Sequence, residues 1–271
     1  VPLLELDGVD AAYGPFRALF DVSLAVPDGG AVALLGPNGS GKTTVARVAS
    51  GLLAPTRGAL RVAGEDLSGA ATHVVAQRGV LHAPEGRSVF GTLTVEENLV
   101  LGLGGVGPKD EIGPGLDRAF ELFPRLGERR AQQAGTLSGG EQRMLSLARV
   151  MARPPRLLIV DELSLGLAPI VVEEVYETLH RIKAAGTALL IIEQHVHHAL
   201  EIADDAAILH QGRVAFHGPA QGLADRADLV QRLRDDRREV LVRLVRREHV
   251  VVGRDDGHIG LVRQAQALLV A

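Results

Sequence analysis

The stretch Gly36-Pro37-Asn38-Gly39-Ser40-Gly41-Lys42-Thr43-Thr44 decides the fold, because it follows the apolar run 31–35 and opens a helix-compatible segment. Glycines allow backbone angles that other residues avoid, so successive N–H groups can converge on one anion while the following helix adds its positive end. A glycine-rich turn can match this pattern by chance, but the flanking segments favour a phosphate-binding loop. In such a loop Lys42 would reach the terminal phosphates of a nucleotide, and Thr43 would bind magnesium.

Composition narrows the class of protein. With 271 residues and 46% hydrophobic content, the chain can bury a sizeable core, and we expect one main domain with appendages. A formal net charge of -4 gives no electrostatic reason to expect a nucleic-acid partner. The absence of cysteine excludes disulfides and thiolate metal sites.

The apolar segments and the first residues of the chain predict where in the cell the protein is located. None of them approaches the roughly 18 residues that suggest a membrane-spanning helix. The first residues, VPLLELDGVD, do not place a basic region before an apolar one, as a secretion signal does. We therefore expect a cytosolic protein.

Short apolar runs alternate with longer helix-like segments. The runs 31–35, 157–160 and 188–192 are nearly continuous in apolar residues, which is typical of strands in a parallel sheet covered on both faces. The segments 3–7 and 21–26 alternate instead, as half-exposed antiparallel strands do. The sequence therefore predicts an α/β fold with a mostly parallel central sheet and an antiparallel edge subdomain.

Two further regions differ from this alternation. From about 93 to 153 the pattern is helical, and we interpret it as a helical insertion. Residues 236–271 are first charged and then apolar, and they carry no recognisable chemistry. We interpret them as an added packing element or a partly disordered extension of a main domain that spans 1–235.

A second anion cradle is suggested by Leu137-Ser138-Gly139-Gly140-Glu141-Gln142, which precedes the helix-like run RMLSLARVMAR. Serine beside two glycines at a helix start offers a hydroxyl and free N–H groups. Taken alone, the segment fits an ordinary helix N-cap equally well.

Two carboxylates end the buried run LLIVDE at 157–162. The carboxyl edge of a parallel strand faces the crevice in which open α/β sheets bind ligands. Asp161 is then placed to hold magnesium and Glu162 to polarise an attacking water. An acidic, solvated strand end is the alternative, and it is less credible once the other motifs are considered together.

The order of these motifs resembles the ATP-binding subunits of ABC transporters over about residues 3–235, and it implies a P-loop NTPase fold. In that family the LSGGEQ segment of one subunit covers the nucleotide held by its partner. The resemblance therefore implies that Ser138, Gly139, Gly140 and Glu141 bind ATP across a dimer. It also implies that Tyr13 stacks on adenine, and a half-buried edge-strand tyrosine is the less favoured alternative.

Several positions depart from the family pattern. Glu85 stands where most members have a glutamine that senses magnesium, and a carboxylate can also accept from a metal-bound water. Gln194 occupies the usual switch-histidine position and His195 follows it, so either would contact the terminal phosphate. Leu163 and Ala168 replace a common proline and aspartate. We interpret His195, His197 and His198 as a solvated helix start, because their spacing does not fit a metal site.

One branch of the family carries similar features. The segments PEGRSVFGTLTVEENL (84–99) and SLGLAP (164–169), with the Glu193-Gln194 pair, look like the second ATP-binding subunit of importers for branched-chain and related hydrophobic amino acids or amides. The resemblance implies an ATPase with Mg²⁺ as cofactor at the cytoplasmic face of the cell membrane. Its partners would be a second ATP-binding subunit, identical or not, and integral membrane permease subunits.

Three alternative functions are also compatible with parts of the sequence. An exporter subunit of the same family would share most of the motifs. A soluble ABC-type protein acting on DNA or ribosomes usually carries two cassettes or a long coiled coil, and this sequence has neither internal duplication nor sustained heptads. A regulatory module that binds nucleotide without hydrolysis is disfavoured by Glu162.

Overall fold

The computed structural model of the chain describes residues 1–83, 89–104, 111–164, 166–193 and 196–224. Within these residues the strands are β1 (Leu4–Tyr13), β2 (Phe16–Val26), β3 (Ala31–Leu35), β4 (Arg57–Val62), β5 (Glu65–Asp66), β6 (Val80–Ala83), β7 (Leu157–Asp161), β8 (Ala188–Glu193), β9 (Asp205–His210) and β10 (Arg213–Pro219). The helices are α1 (Lys42–Ala49), α2 (Thr72–Gln77), α3 (Val95–Gly104), α4 (Ile112–Leu122), α5 (Pro124–Gly127), α6 (Gly139–Met151), α7 (Pro169–Ala184), α8 (Val196–Ile202) and α9 (Ala220–Ala224).

The central sheet has the strand order β10-β9-β3-β8-β7-β6. Neighbours from β9 to β6 pair in parallel, and β10 pairs antiparallel to β9 at the edge. Every residue of β3, β7 and β8 is buried. Uninterrupted apolar strands are stable only when both faces are covered, so the predicted parallel sheet is confirmed.

A second, antiparallel sheet has the order β2-β1-β4-β5. Its long strands carry an irregular alternation of buried and exposed side chains, because one face packs on the core and the other faces solvent. The antiparallel edge subdomain predicted from 3–7 and 21–26 is therefore confirmed.

The two faces of the central sheet belong to different hydrophobic cores. Along β3, Ala31, Ala33 and Leu35 join a core with the helices α3, α4, α6 and α7. The alternate residues Val32 and Leu34 join a core with the antiparallel sheet and α1. Side chains alternate across a strand, so one short apolar run supplies both cores.

The helical insertion predicted at about 93–153 corresponds to the helices α3 to α6. Leu99 and Leu103 of α3 pack with Phe120 of α4 and Leu145 of α6 in one core. None of the helices in the described part of the chain combines the length and the apolar content that crossing a membrane requires.

Candidate nucleotide site

The phosphate-binding loop joins the end of β3 to the start of α1, where the sequence places it. Gly36 has φ 155°, and a Cβ there would meet the carbonyl oxygen of Leu209 and lie 2.8 Å from Ser40 Oγ. Gly41, with φ 107°, precedes α1 and makes no side-chain cap. The first N–H groups of the helix are therefore left without a capping side chain, which is the arrangement that binds an anion.

The Lys42 ammonium lies over this loop. It donates to the carbonyl oxygens of Gly36 at 3.0 Å and Pro37 at 3.3 Å. It also lies 3.4 Å from Glu162 Oε1, and the two side chains are 4% and 10% exposed. The cation that should bind phosphate is thus held by the loop and by the candidate catalytic carboxylate.

A cavity of about 630 Å³ opens beside the loop. Gly39, Lys42, Thr43 and Thr44 line it on one side, and Glu162 faces it from the end of β7. Asn38 and Gly41 also line it. The structure therefore brings the phosphate-binding loop and one predicted carboxylate to a single space.

Five lining residues were not predicted from the sequence: Arg17, Ala18, Phe20, Gln211 and Gly212. Arg17 pairs with Asp10 at 2.8 Å and lies over the Phe20 ring at 4.8 Å. Gln211 belongs to the β9–β10 turn and has φ 48°. They come from segments distant from the loop in sequence, and no local pattern distinguishes them from ordinary surface residues.

Asp161 is the last residue of β7, at the carboxyl edge of the sheet, Glu162 directly follows it, and both are buried. Glu162 has φ 48°, a left-handed conformation that is unfavourable for a residue with a Cβ. Its N–H donates to the carbonyl oxygen of Ile192 at 2.8 Å. Its own carbonyl accepts from the Arg143 guanidinium at 3.2 Å. The surrounding structure thus holds Glu162 in a turn that aims its carboxylate at Lys42.

Arg143 is a site residue that the sequence reasoning missed. It lies on α6, is 5% exposed, and joins the LSGGEQ helix to the backbone of Glu162. Its position directly after that motif was the available signal.

The predicted magnesium ligands Thr43 and Asp161 present oxygen donors to the same edge of the sheet. Hydroxyl and carboxylate oxygens suit Mg²⁺, which usually binds through one or two protein groups together with substrate phosphates. Across the described ranges no cluster of three or more His, Cys, Asp or Glu side chains forms a protein-only metal cage. The donor set therefore fits Mg²⁺ held jointly with a nucleotide.

Tyr13 ends β1 beside the first helix turns, and it is 40% exposed. Its hydroxyl lies 3.5 Å from Thr44 Oγ1 and accepts from Arg47 at 3.1 Å. The Arg47 guanidinium also lies 5.7 Å from the ring centroid. The ring is partly exposed near α1, but Tyr13 is not among the residues that line the cavity, so stacking on adenine stays a prediction.

Ser138 is the N-cap of α6, and it forms a complete capping box with Glu141. Ser138 Oγ accepts from the Glu141 N–H at 3.3 Å, and Glu141 Oε2 accepts from the Ser138 N–H at 2.9 Å. Although burial opposes it, hydrogen bonds from Ser138 and the nearby Arg129 hold the pKa of Glu141 below its ordinary value. Both descriptions of this segment, N-cap and exposed anion cradle, fit the geometry.

The residues Ser138, Gly139, Gly140 and Glu141 do not line the cavity beside the phosphate loop of their own chain. Ser138 is exposed. The two predicted anion-binding segments are thus separate within this chain.

Three predicted site residues lie outside the described part of the chain: Glu85, Gln194 and His195. The extension 236–271 lies outside it as well. His197 and His198 lie in the first turn of α8, with side chains 79% and 35% exposed, and each lies within 4 Å of Glu201. This placement agrees with a solvated helix start.

Comparison with known proteins places this geometry in context. The family model described as ABC transporter matches residues 19–164. The chain is 41% identical over 221 residues to the high-affinity branched-chain amino acid transport ATP-binding protein BraG of Pseudomonas aeruginosa, covering 82% of this chain and 94% of that one. It is 33% identical over 219 residues to the lipopolysaccharide export system ATP-binding protein LptB of Escherichia coli, covering 79% and 90%. A solved ATP-binding subunit of an ABC transporter superposes with a TM-score of 0.74 at 29% identity, covering 90% and 99%.

Proposed function

This chain belongs to the ABC transporter family, and from that premise we propose that it is the ATP-hydrolysing subunit of an importer for branched-chain or other hydrophobic amino acids or related amides. One observation carries the ATPase part of the proposal. The buried Lys42 and its neighbour Thr43, at the start of α1, meet the buried Glu162, which follows β7, at one cavity.

Binding of ATP begins with an exchange of partners at Lys42. Its Nζ leaves the carbonyl oxygens of Gly36 and Pro37 and donates to phosphate oxygens, which carry full charge and accept more strongly. The uncapped N–H groups at the start of α1 donate to the same phosphates. Tyr13 stacks on the base.

Hydrolysis then depends on Glu162. Its carboxylate is buried and faces the cavity, where it can accept a proton from the attacking water. Lys42 stabilises the charge that spreads over the transferring phosphoryl group. Thr43 and Asp161 would hold Mg²⁺ together with the phosphates, and the ion would neutralise more of that charge. Glu85 and either Gln194 or His195 complete the site from segments outside the described residues.

The Ser138 segment acts on the nucleotide of a second copy or of a related subunit. Ser138 Oγ already accepts from the Glu141 N–H, so its hydroxyl hydrogen stays available to donate to a phosphate. Because the segment is exposed and lies away from the cavity of its own chain, a facing subunit can present it there. ATP that bridges both halves favours the closed dimer by this difference in contacts.

The import direction rests on two supports. The relative from Pseudomonas aeruginosa is named for branched-chain amino acid transport, and its identity to this chain is higher than that of the lipopolysaccharide exporter subunit. The PEGR segment and the Glu193-Gln194 pair point to the same branch of the family. The chain would then work at the cytoplasmic face of the membrane, against permease subunits that receive its motion.

Two measurements test the proposal. Purified full-length chain should hydrolyse ATP with Mg²⁺, and Glu162→Gln should lower turnover about 100-fold. In cells that encode the chain, the same substitution should abolish uptake of radiolabelled leucine, isoleucine and valine. Glu174→Gln, which changes a carboxylate on the outer part of α7, is the matched control and should keep both activities.

Each outcome has a definite meaning. Unchanged uptake in the Glu162→Gln strain refutes the import assignment, and accumulation of an envelope lipid in that strain would indicate the exporter alternative. Turnover within about threefold of the parent refutes the role of Glu162.

A further inference from the structure

A second buried carboxylate lies close to Glu162 and has no part in the chemistry described above. Glu193 is the last residue of β8 and is 1% exposed. It does not line the nucleotide cavity. A carboxylate removed from water is costly unless hydrogen bonds satisfy its oxygens, so its contacts indicate what it does.

Both oxygens of Glu193 accept hydrogen bonds from one residue, Ser164. The Ser164 N–H donates to Oε1 at 3.1 Å, and the Ser164 hydroxyl donates to Oε2 at 2.9 Å. Ser164 is itself 3% exposed. A two-point contact between buried groups fixes orientation as well as distance.

Ser164 lies two residues beyond Glu162, in the turn that leads from β7 toward α7. The Glu162 N–H donates to the Ile192 carbonyl oxygen at 2.8 Å. Two residues later in the turn, the Ser164 N–H donates to the side chain of Glu193. Glu193 therefore extends the pairing between β7 and β8 past the ends of the strands, with side-chain oxygens in place of a backbone carbonyl. This turn contains the left-handed backbone of Glu162, which has φ 48°.

Tyr176 of α7 closes the pocket around this pair. It is 4% exposed, and burial followed by the nearby charge of Glu193 raises the pKa of its phenol. The phenol stays neutral, and its ring packs against His198 with centroids 4.9 Å apart. Tyr176 therefore lies near both Glu193 and Ser164 and helps to bury this pair.

We propose that Glu193 is a positioning residue that holds the Glu162 turn in its catalytic geometry through Ser164. The inference rests on the proposed function, in which Glu162 accepts the proton of the attacking water. Glu193 itself contacts neither nucleotide nor water in this role. Misplacing a catalytic group by about 1 Å can lower a rate by roughly 100-fold, so a lost anchor two residues away should be visible in turnover.

The test compares two replacements of Glu193 in the full-length chain. Glu193→Leu keeps approximate size but removes both acceptors, whereas Glu193→Gln keeps the shape, accepts from the Ser164 N–H and donates to its hydroxyl. In single-turnover hydrolysis of radiolabelled ATP we expect a loss of about 10-fold or more for Glu193→Leu and less than about threefold for Glu193→Gln. The dissociation constant for a fluorescent ATP analogue should change by less than about twofold in both, because the phosphate loop is untouched.

A double substitution separates positioning from general damage. If Glu193 acts through Glu162, Glu193→Leu should change the residual rate of Glu162→Gln by less than about twofold, since the group it positions is already disabled. An equal loss in both backgrounds, a weakened nucleotide affinity of similar size, or parent-like turnover of Glu193→Leu each overturns the proposal.

If circular dichroism shows that Glu193→Leu misfolds, a second variant tests the proposal in its place. Ser164→Ala removes one of the two contacts and should lower turnover about threefold or more, again without effect in the Glu162→Gln background. The matched control is Thr178→Val, which removes another buried hydroxyl that donates to the Glu174 carbonyl at 2.8 Å. Parent-like turnover of Ser164→Ala overturns the inference. If Glu162→Gln alone keeps parent turnover, the proposed catalytic role fails instead, so the two failures are distinguishable.

Discussion

Replacing Glu162 by Gln should tighten ATP binding while it slows hydrolysis. The carboxylate lies 3.4 Å from Lys42 Nζ, and both side chains are largely buried. ATP must displace this contact before Lys42 can bind phosphate. The same negative charge would face the phosphates of bound ATP, so neutralising it removes a competitor for the lysine and a source of repulsion.

The magnitude follows from the distance. At 3.4 Å a unit charge pair is worth about 5 kcal/mol at an effective dielectric constant of 20, and about 1 kcal/mol in bulk water. The cavity is open to solvent, and Lys42 keeps its carbonyl partners Gly36 and Pro37 in the variant. We therefore take the lower figure, about 1 kcal/mol, which corresponds to an affinity increase of about fivefold.

The assay is equilibrium titration of the full-length chain with a fluorescent ATP analogue, with Glu174→Gln as the matched control. The titration should be repeated at high salt, where screening in the solvent-open cavity should reduce the gain in affinity. Weaker binding by Glu162→Gln, or an equal gain in Glu174→Gln, would refute the argument that Glu162 competes with phosphate for Lys42.

Three further substitutions have outcomes that the structure determines. Gly36→Ala should lower the free energy of unfolding by about 1–3 kcal/mol, because the added methyl meets the Leu209 carbonyl oxygen. Chemical denaturation measures this change, and unchanged stability would contradict the described loop. Arg143→Leu removes the donor to the Glu162 carbonyl and should lower turnover about 10-fold while nucleotide affinity is retained. Steady-state ATPase assays measure the turnover, and a parent-like value would show that this hydrogen bond does not position Glu162. Glu141→Gln should lower the thermal midpoint at pH 7. Hydrogen bonds depress the pKa of the Glu141 carboxyl in the folded state, so the ionised carboxylate stabilises the protein at any pH above 4.5, the ordinary pKa of this group. The difference from the parent should shrink as the pH falls below about 4.5, and a constant difference from pH 7 to pH 4 would exclude this origin.

The phosphate loop and the strand end at 161–162 were predictable because their geometry is local. Gly36 and Gly41 permit a backbone that other residues would strain, and an uninterrupted apolar run such as 157–160 suits only a strand covered on both faces. The LSGGEQ segment was recognisable as a helix start for the same reason, since Ser138 and Glu141 satisfy each other within one turn.

Tertiary structure alone decided which residues support that chemistry. Arg143 reaches the Glu162 carbonyl across 19 positions of sequence, and Ser164 reaches Glu193 across 29. Arg17 and Gln211 enter the cavity from opposite ends of the described chain. A sequence records side-chain chemistry and short-range spacing, whereas contacts between distant segments depend on strand order, which brings β8 beside β7 and closes β3 between β8 and β9. The sequence therefore determined the phosphate-binding chemistry, and the folded sheet determined how Glu162 is held to perform it.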